Sequence, residues 1–197
     1  MAQQQATIPN THGGVRGIIN ANATDAETRL SKADKCRMGW ADFNDLATQS
    51  TPIAITSAGG WTLLTNDKAG PNTNTNFLPE GVTSSVFASN QFNFIQLDIG
   101  DCIDVRLDLL VTTTSPNQNV LTRLRMGIGS PSEFSIIFTQ LNYKSAGLNY
   151  VSRYNGIYIG SNDIKNYPAK FEIMSDANAS VKVNGWFCKF LLRGEAS

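Results

Sequence analysis

Between Ile103 and Val111 the chain alternates without a break. Ile103, Val105, Leu107, Leu109 and Val111 fall on one side, and Cys102, Asp104, Arg106 and Asp108 on the other. Successive side chains of a pleated strand point to opposite faces, so this period of two requires a strand with one buried face. The turn Asp98-Ile99-Gly100-Asp101 precedes it, and the polar stretch Thr112 to Asn119 comes after it, with Pro116 unable to donate to a ladder. From Val120 to Gly129 the alternation resumes, with Leu124, Met126 and Ile128 opposed to Arg123 and Arg125. The two segments are expected to form a long β-hairpin. In that hairpin the acidic outer face of the first strand would pair with the basic outer face of the second.

The remainder of the chain from Trp40 onward has the same texture. Short strands are expected near 40–48, 52–56, 61–65, 91–97, 134–142, 149–159, 170–175 and 180–192, separated by turn signals about every ten residues, as in a sandwich or barrel. Phe134, Ile136 and Phe138 share one face of their strand, as do Phe171 and Ile173 of theirs. Asn184-Gly185 could turn a hairpin, but only Val181 to Val183 precede it after a turn, so a glycine bulge inside one long last strand is the better reading. The longest irregular loop is 66–90, where an Asn/Thr repeat with Pro71 and Pro79 argues against any buried element.

Residues 1–37 differ from the rest of the chain. Met1 to Asn22 is polar and without period, and reads as an extended arm. Thr24 to Glu27 makes a capping box ahead of a short helix over 25–36, whose single leucine, Leu30, leaves it marginal without a partner. The expected organisation is an arm with a short helix, 1–37, and an all-β domain, 38–197, built as a sandwich or barrel.

Formal net charge is zero and charged residues make up 16% of the chain, which gives no support to a nucleic-acid partner. No apolar run is long enough to span a membrane, and Met1 to Asn10 lacks the charged and apolar regions of a secretory signal. Cys36, Cys102 and Cys188 are odd in number and widely spaced, so a zinc site is not expected and small thiols in a reducing site of synthesis are.

Several phrases then carry a resemblance: WADFNDLATQSTPI, GGWTLLTND, LPEGVT, QFNFIQLDIGDCIDVRLDL, RLDLLVTTTSPNQ and SDANASVKVNGWFC. They span most of 40–192. The unit resembles trimeric jelly rolls of the tumour-necrosis-factor and complement-head type, and more closely the knob domains of bacteriophage virion proteins. That resemblance implies an all-β jelly-roll β-sandwich preceded by the extended arm with its short helix, a homotrimer, a non-enzymatic role on the virion, and a segment that anchors the knob to a capsid or other virion protein, here residues 1–37. A head decoration protein is favoured over a tail-fibre tip because no heptad or repeat shaft lies between arm and knob. The alternative is a receptor-binding tip that recognises host-surface carbohydrate through the 66–90 loop and the tyrosines of 143–167.

Reaction chemistry finds little purchase. His12 is the only histidine and lies in the polar arm, without the third group a catalytic base requires. Asp104 and Asp108 belong to an exposed strand face, where paired surface charge is the simpler reading than a glycosidase pair. Asp98 and Asp101 could offer oxygen ligands to calcium, but a turn that prefers Asp explains them too. Gly127-Ile128-Gly129 lacks the helix and lysine of a phosphate loop. No catalytic residue, metal site or cofactor is therefore assigned. Arg106, Arg123 and Arg125 are expected to pair with acids within the chain. Tyr143, Tyr150, Tyr154, Tyr158 and Tyr167 are expected mostly in the core or between subunits.

Overall fold

The computed structural model describes residues 38–57 and 60–193. The arm and its expected helix over 25–36 lie outside the described residues.

The elements, in chain order, are β1 (Met38–Asn44), α1 (Ala47–Ser50), β2 (Ile53–Ile55), β3 (Thr62–Leu63), a 3-10 turn (Ser84–Val86), β4 (Phe87–Ala88) and β5 (Gln91–Phe92). Then come β6 (Cys102–Thr113), β7 (Gln118–Met126), β8 (Phe134–Tyr143), β9 (Gly147–Tyr158), α2 (Asn162–Asn166), β10 (Lys170–Ser175) and β11 (Ala179–Leu191). One sheet runs β1-β11-β6-β9, with β2 also paired to β11; the other runs β3-β10-β7-β8. All these pairings are antiparallel. Apart from the β7–β8 hairpin, consecutive long strands alternate between two facing sheets, which is the jelly-roll form of a β-sandwich.

The inward row of β6 behaves as its alternation requires: Ile103, Val105, Leu107, Leu109 and Val111 are fully buried. Its expected partner does not. β6 pairs with β9 and β11, whereas β7 pairs with β8 and β10 in the opposite sheet. The predicted hairpin is a crossover. Each strand has an apolar face, and the two faces meet across the sandwich instead of lying side by side. The four residues 114–117 can span about 13 Å when extended, enough to cross the roughly 10 Å between packed sheets. β7 also ends at Met126, which leaves Ile128 in the turn beyond it.

The crossover is held by one buried amide. Gln118 accepts from the Thr114 and Ser115 amides (2.9 and 3.2 Å) and donates to Ser175 Oγ (2.7 Å) and to the carbonyls of Ala177 and Asn178 (2.9 and 3.0 Å). This side chain ties the β6–β7 connection to the β10–β11 turn.

The glycine bulge in the last strand is present. The β11 register against β6 shifts between Val183 and Gly185. Gly185 has φ +151°, and a Cβ there would lie 2.5 Å from the Phe43 carbonyl oxygen, so only glycine fits beside β1. The backbone groups the bulge releases are taken up by α1: the Val183 amide donates to Thr48 Oγ1 (2.8 Å) and Gln49 Nε2 donates to the Val183 carbonyl (2.7 Å). Thr48 in turn donates to the buried Asp45 carboxylate.

Segment 66–90 is not free of buried structure, contrary to expectation. Val82, Val86 and Phe87 are buried, and Phe87 packs at ring-centroid distances of 5.4, 4.9 and 5.1 Å from Phe43, Phe92 and Trp186. The Asn/Thr repeat masks three apolar residues beyond it. The first part of the segment lies along β1: Asp42 and Asn74 exchange backbone hydrogen bonds at 2.8 Å, and the Trp40 amide donates to the Phe77 carbonyl at 2.8 Å. Residues 64–92 thus wall off one flank of the sandwich, while 98–101 reach the end of β9, where the Gly100 amide donates to the Ile159 carbonyl (2.9 Å). The strand expected over 40–48 stops at Asn44, where Asp45 begins the turn into α1, and that over 91–97 shrinks to Gln91–Phe92.

Candidate functional site

The flank opposite that wall is different. Among the described residues β8 pairs only with β7 and β9 only with β6, so both strands present an unpaired backbone edge on the same side of the molecule. β9 keeps a continuous register with β6, from Gly147 opposite Thr113 to Tyr158 opposite Cys102. Val151 and Ile157 point into the core, which turns Leu148, Tyr150, Ser152, Tyr154 and Tyr158 outward. β8 carries a bulge opposite Thr122/Arg123. Phe134, Ile136 and Phe138 share the inward face as expected, with Phe134 opposite Met126 and Ile136 opposite Leu124, and the bulge changes the parity only beyond Phe138. Phe138 is buried against Phe171 (4.9 Å), Ile136 is half-buried, and Phe134 and Ile137 are exposed.

The tyrosines therefore depart from expectation within the single chain: Tyr150, Tyr154, Tyr158 and Tyr167 are exposed, and only Tyr143 is half-buried. The Tyr154 hydroxyl is pushed up from its ordinary value, first by burial and then by its hydrogen bond to Asp104. The outer face of the same sheet continues from Tyr154 through its neighbour Arg106 to Phe187 and Asp42 across the four strands. Arg106 stacks over Phe187 at 5.4 Å, and Trp40 stacks between Phe187 and Phe77 at 5.8 and 4.7 Å.

The candidate chemical groups resolve into structural roles. Arg106 pairs with Asp108 of its own strand (2.8 Å), and Asp108 also accepts from Ser152 Oγ (2.6 Å). Arg123 binds Glu172 (2.6 Å) beneath the ring of Trp61, and Arg125 binds Glu133 (2.6 Å). All three arginines thus meet acids within the chain, although neither arginine of β7 meets an acid of β6. Arg125, together with the Gly129 amide, holds the Glu133 carboxyl below its usual range. The same amide contact (3.0 Å) accounts for Gly129 as part of the turn entering β8.

Asp101 is buried and accepts from the Asp98 amide (2.7 Å) and the Arg193 amide, while Asp98 pairs with Lys165 (2.9 Å). Both carboxylates are engaged by donors within the fold, as a turn requires. Among the described residues no group of three His, Cys, Asp or Glu side chains could hold a metal ion. Cys188 is buried, which pushes its thiol well up from the ordinary range; Cys102 is half-buried. His12 and Cys36 lie outside the described residues. No helix among the described residues is long and apolar enough to cross a membrane.

No protein-family model matches the chain, and no curated protein matches it in sequence. Among solved structures it is similar to the infectious bursal disease virus Gx strain structure, at 11% identity and a TM-score of 0.42, covering 81% of this chain and 33% of that one. Infectious bursal virus derived T=1 particles give 13% identity and a TM-score of 0.42, with 81% and 32% covered. The PRD1 vertex protein P5 gives 15% identity and a TM-score of 0.39, with 78% and 92% covered. The chain spans about a third of the length of the bursal disease virus chains it matches. Likeness at this level carries no functional assignment.

Proposed function

We propose that the chain is a bacteriophage virion structural protein, a trimeric jelly-roll knob held on the particle by residues 1–37, serving as a head decoration protein. The observation that carries this reading is the uncovered β8–β9 flank: an apolar surface with free strand edges is suited to contact with other protein rather than to turnover of a small molecule. The virion-type phrases across 40–192 agree with it and supply the choice of a phage particle. Met38 starts β1 opposite Leu191, near the end of β11, at the end of the knob away from the short β6–β7, β8–β9 and β10–β11 connections.

Particles that lack the protein, incubated with purified full-length chain or with a variant deleted for 1–37, test the assignment. The full chain is expected to bind and to appear as added density by electron microscopy. The deleted variant should stay folded and trimeric but remain in the supernatant. Retained binding by the deleted variant would move the anchor into the knob, and failure of the full chain to bind would refute the virion role.

A second reading, recognition of host carbohydrate, is favoured by one observation. Tyr150 and Tyr154 are exposed beside Ser152, Asp108 and Arg106, and aromatic rings next to hydrogen-bonding groups suit sugar rings. Binding of the isolated knob to a glycan array would support this reading.

A further inference from the structure

We propose that the β8–β9 flank is the contact surface between copies of this chain, with Leu148, Tyr150, Tyr154 and Tyr158 of β9 covered by a second copy. The inference rests on the oligomeric reading above and specifies the surface that reading requires.

Three observations point to a protein occupant. One is asymmetry: residues 70–77 close the β1 edge with backbone hydrogen bonds, while among the described residues no strand pairs with the outer edges of β8 and β9. Another is composition. β8, FSIIFTQLNY, has no charged residue, and β9, GLNYVSRYNGIY, has only Arg153. Long edge strands that face water are ordinarily blunted by charge, proline or bulges. β8 has a bulge, whereas β9 runs straight along β6 for its full length.

The last is area. Phe134, Leu148, Tyr150, Tyr154 and Tyr158 are 42%, 60%, 79%, 54% and 58% exposed. For side chains of these sizes that leaves roughly 600 Å² open, most of the ~800 Å² per partner of a standard interface.

Charge selects the occupant. A partner recognised by opposite charge needs a patch of one sign, and these two strands carry a single charge. A surface of that kind can meet a second copy of its own chain, of zero formal net charge, without repulsion between like groups.

The test uses the full chain in sedimentation equilibrium over a range of concentrations, comparing the wild type with a Tyr150→Lys/Tyr154→Lys double variant and with Ile95→Lys. Ile95 is 65% exposed and belongs to neither strand of the flank, so it serves as the control. The wild type and Ile95→Lys are expected at three times the chain mass. The double variant is expected as a monomer with an unchanged circular dichroism spectrum, its association weakened at least about thirtyfold, as for loss of an interface anchor. A double variant that stays fully associated would overturn this surface while leaving the oligomeric reading intact. A wild type that is monomeric at every concentration would overturn both.

Hydroxyl-radical footprinting of the wild type covers the case in which the double variant fails to fold. Tyr150 and Tyr154 should be protected relative to the exposed Phe77 at high concentration and lose that protection on dilution. Equal labelling at all concentrations would refute the surface.

Discussion

Replacing Phe87 with alanine removes a fully buried ring from the centre of the aromatic cluster. The ring sits against three others, with centroid separations of 5.4 Å to Phe43, 4.9 Å to Phe92 and 5.1 Å to Trp186. Truncation of a buried Phe costs about 3–5 kcal/mol, from the lost transfer energy and from the cavity its neighbours cannot close. Against a total stability of roughly 5–15 kcal/mol, that is a large fraction. At about 2–4 °C per kcal/mol for a domain of this size, the melting temperature should fall by about 6–20 °C. Guanidinium denaturation followed by tryptophan fluorescence suits the measurement, because Trp186 contacts the deleted ring. Phe77→Ala is the matched control in the same segment: its ring is 53% exposed and stacked only on Trp40, and it should cost about 1 kcal/mol. If Phe87→Ala cost no more than Phe77→Ala, residues 80–92 would not belong to the core, and the closed flank would be a loop resting on a complete sandwich.

Leu107→Asp places an unpaired carboxylate in the inward row of β6 and should abolish the folded circular dichroism signal, whereas Asp108→Asn, on the outer face, should cost about 1 kcal/mol or less in denaturation. Gln118→Leu leaves the Thr114 and Ser115 amides and the Ala177 and Asn178 carbonyls without their side-chain partner, and should lower stability by about 2–4 kcal/mol in the same assay. The Asp67 carboxyl is held below its ordinary 3.8, chiefly by the Leu46 amide and further by those of Ala69 and Ala47. Its contribution is therefore present above that value and lost as the pH falls through the lower, folded one, so Asp67→Asn should flatten the acid limb of a stability–pH curve and leave the neutral region less stable.

Legibility in the sequence tracks which interactions are local. The β6 alternation names its buried residues because the pleat alone decides them, and the Asn184-Gly185 bulge is readable because too few residues precede it for a separate strand. Pairing is another matter. The acidic residues of β6 and the basic residues of β7 suggest one ladder, yet their outer faces lie on opposite sides of the sandwich. Arg123 finds Glu172, nearly fifty residues away in sequence, and only the strand order brings the two together. Phe87 is hidden because a short apolar run after a polar repeat has no period by which to recognise it. The bare flank escapes for a related reason. The lack of charge over 134–143 is visible in the sequence, but nothing there reveals that this strand ends a sheet.

The position of β11 bears on how the protein is made. It lies between β1 and β6 and also pairs with β2, so its sheet has no continuous path until the last of those residues has been synthesised. β1 must wait for partners some 150 residues further along the chain. Contacts this distant in sequence place folding in the millisecond-to-second range and after translation of the strand rather than during it. A nascent chain halted before Ala179 holds Phe43, Val105 and Leu107 without the strand that joins their rows. Completion of the chain thereby sets the earliest moment at which the sandwich can close.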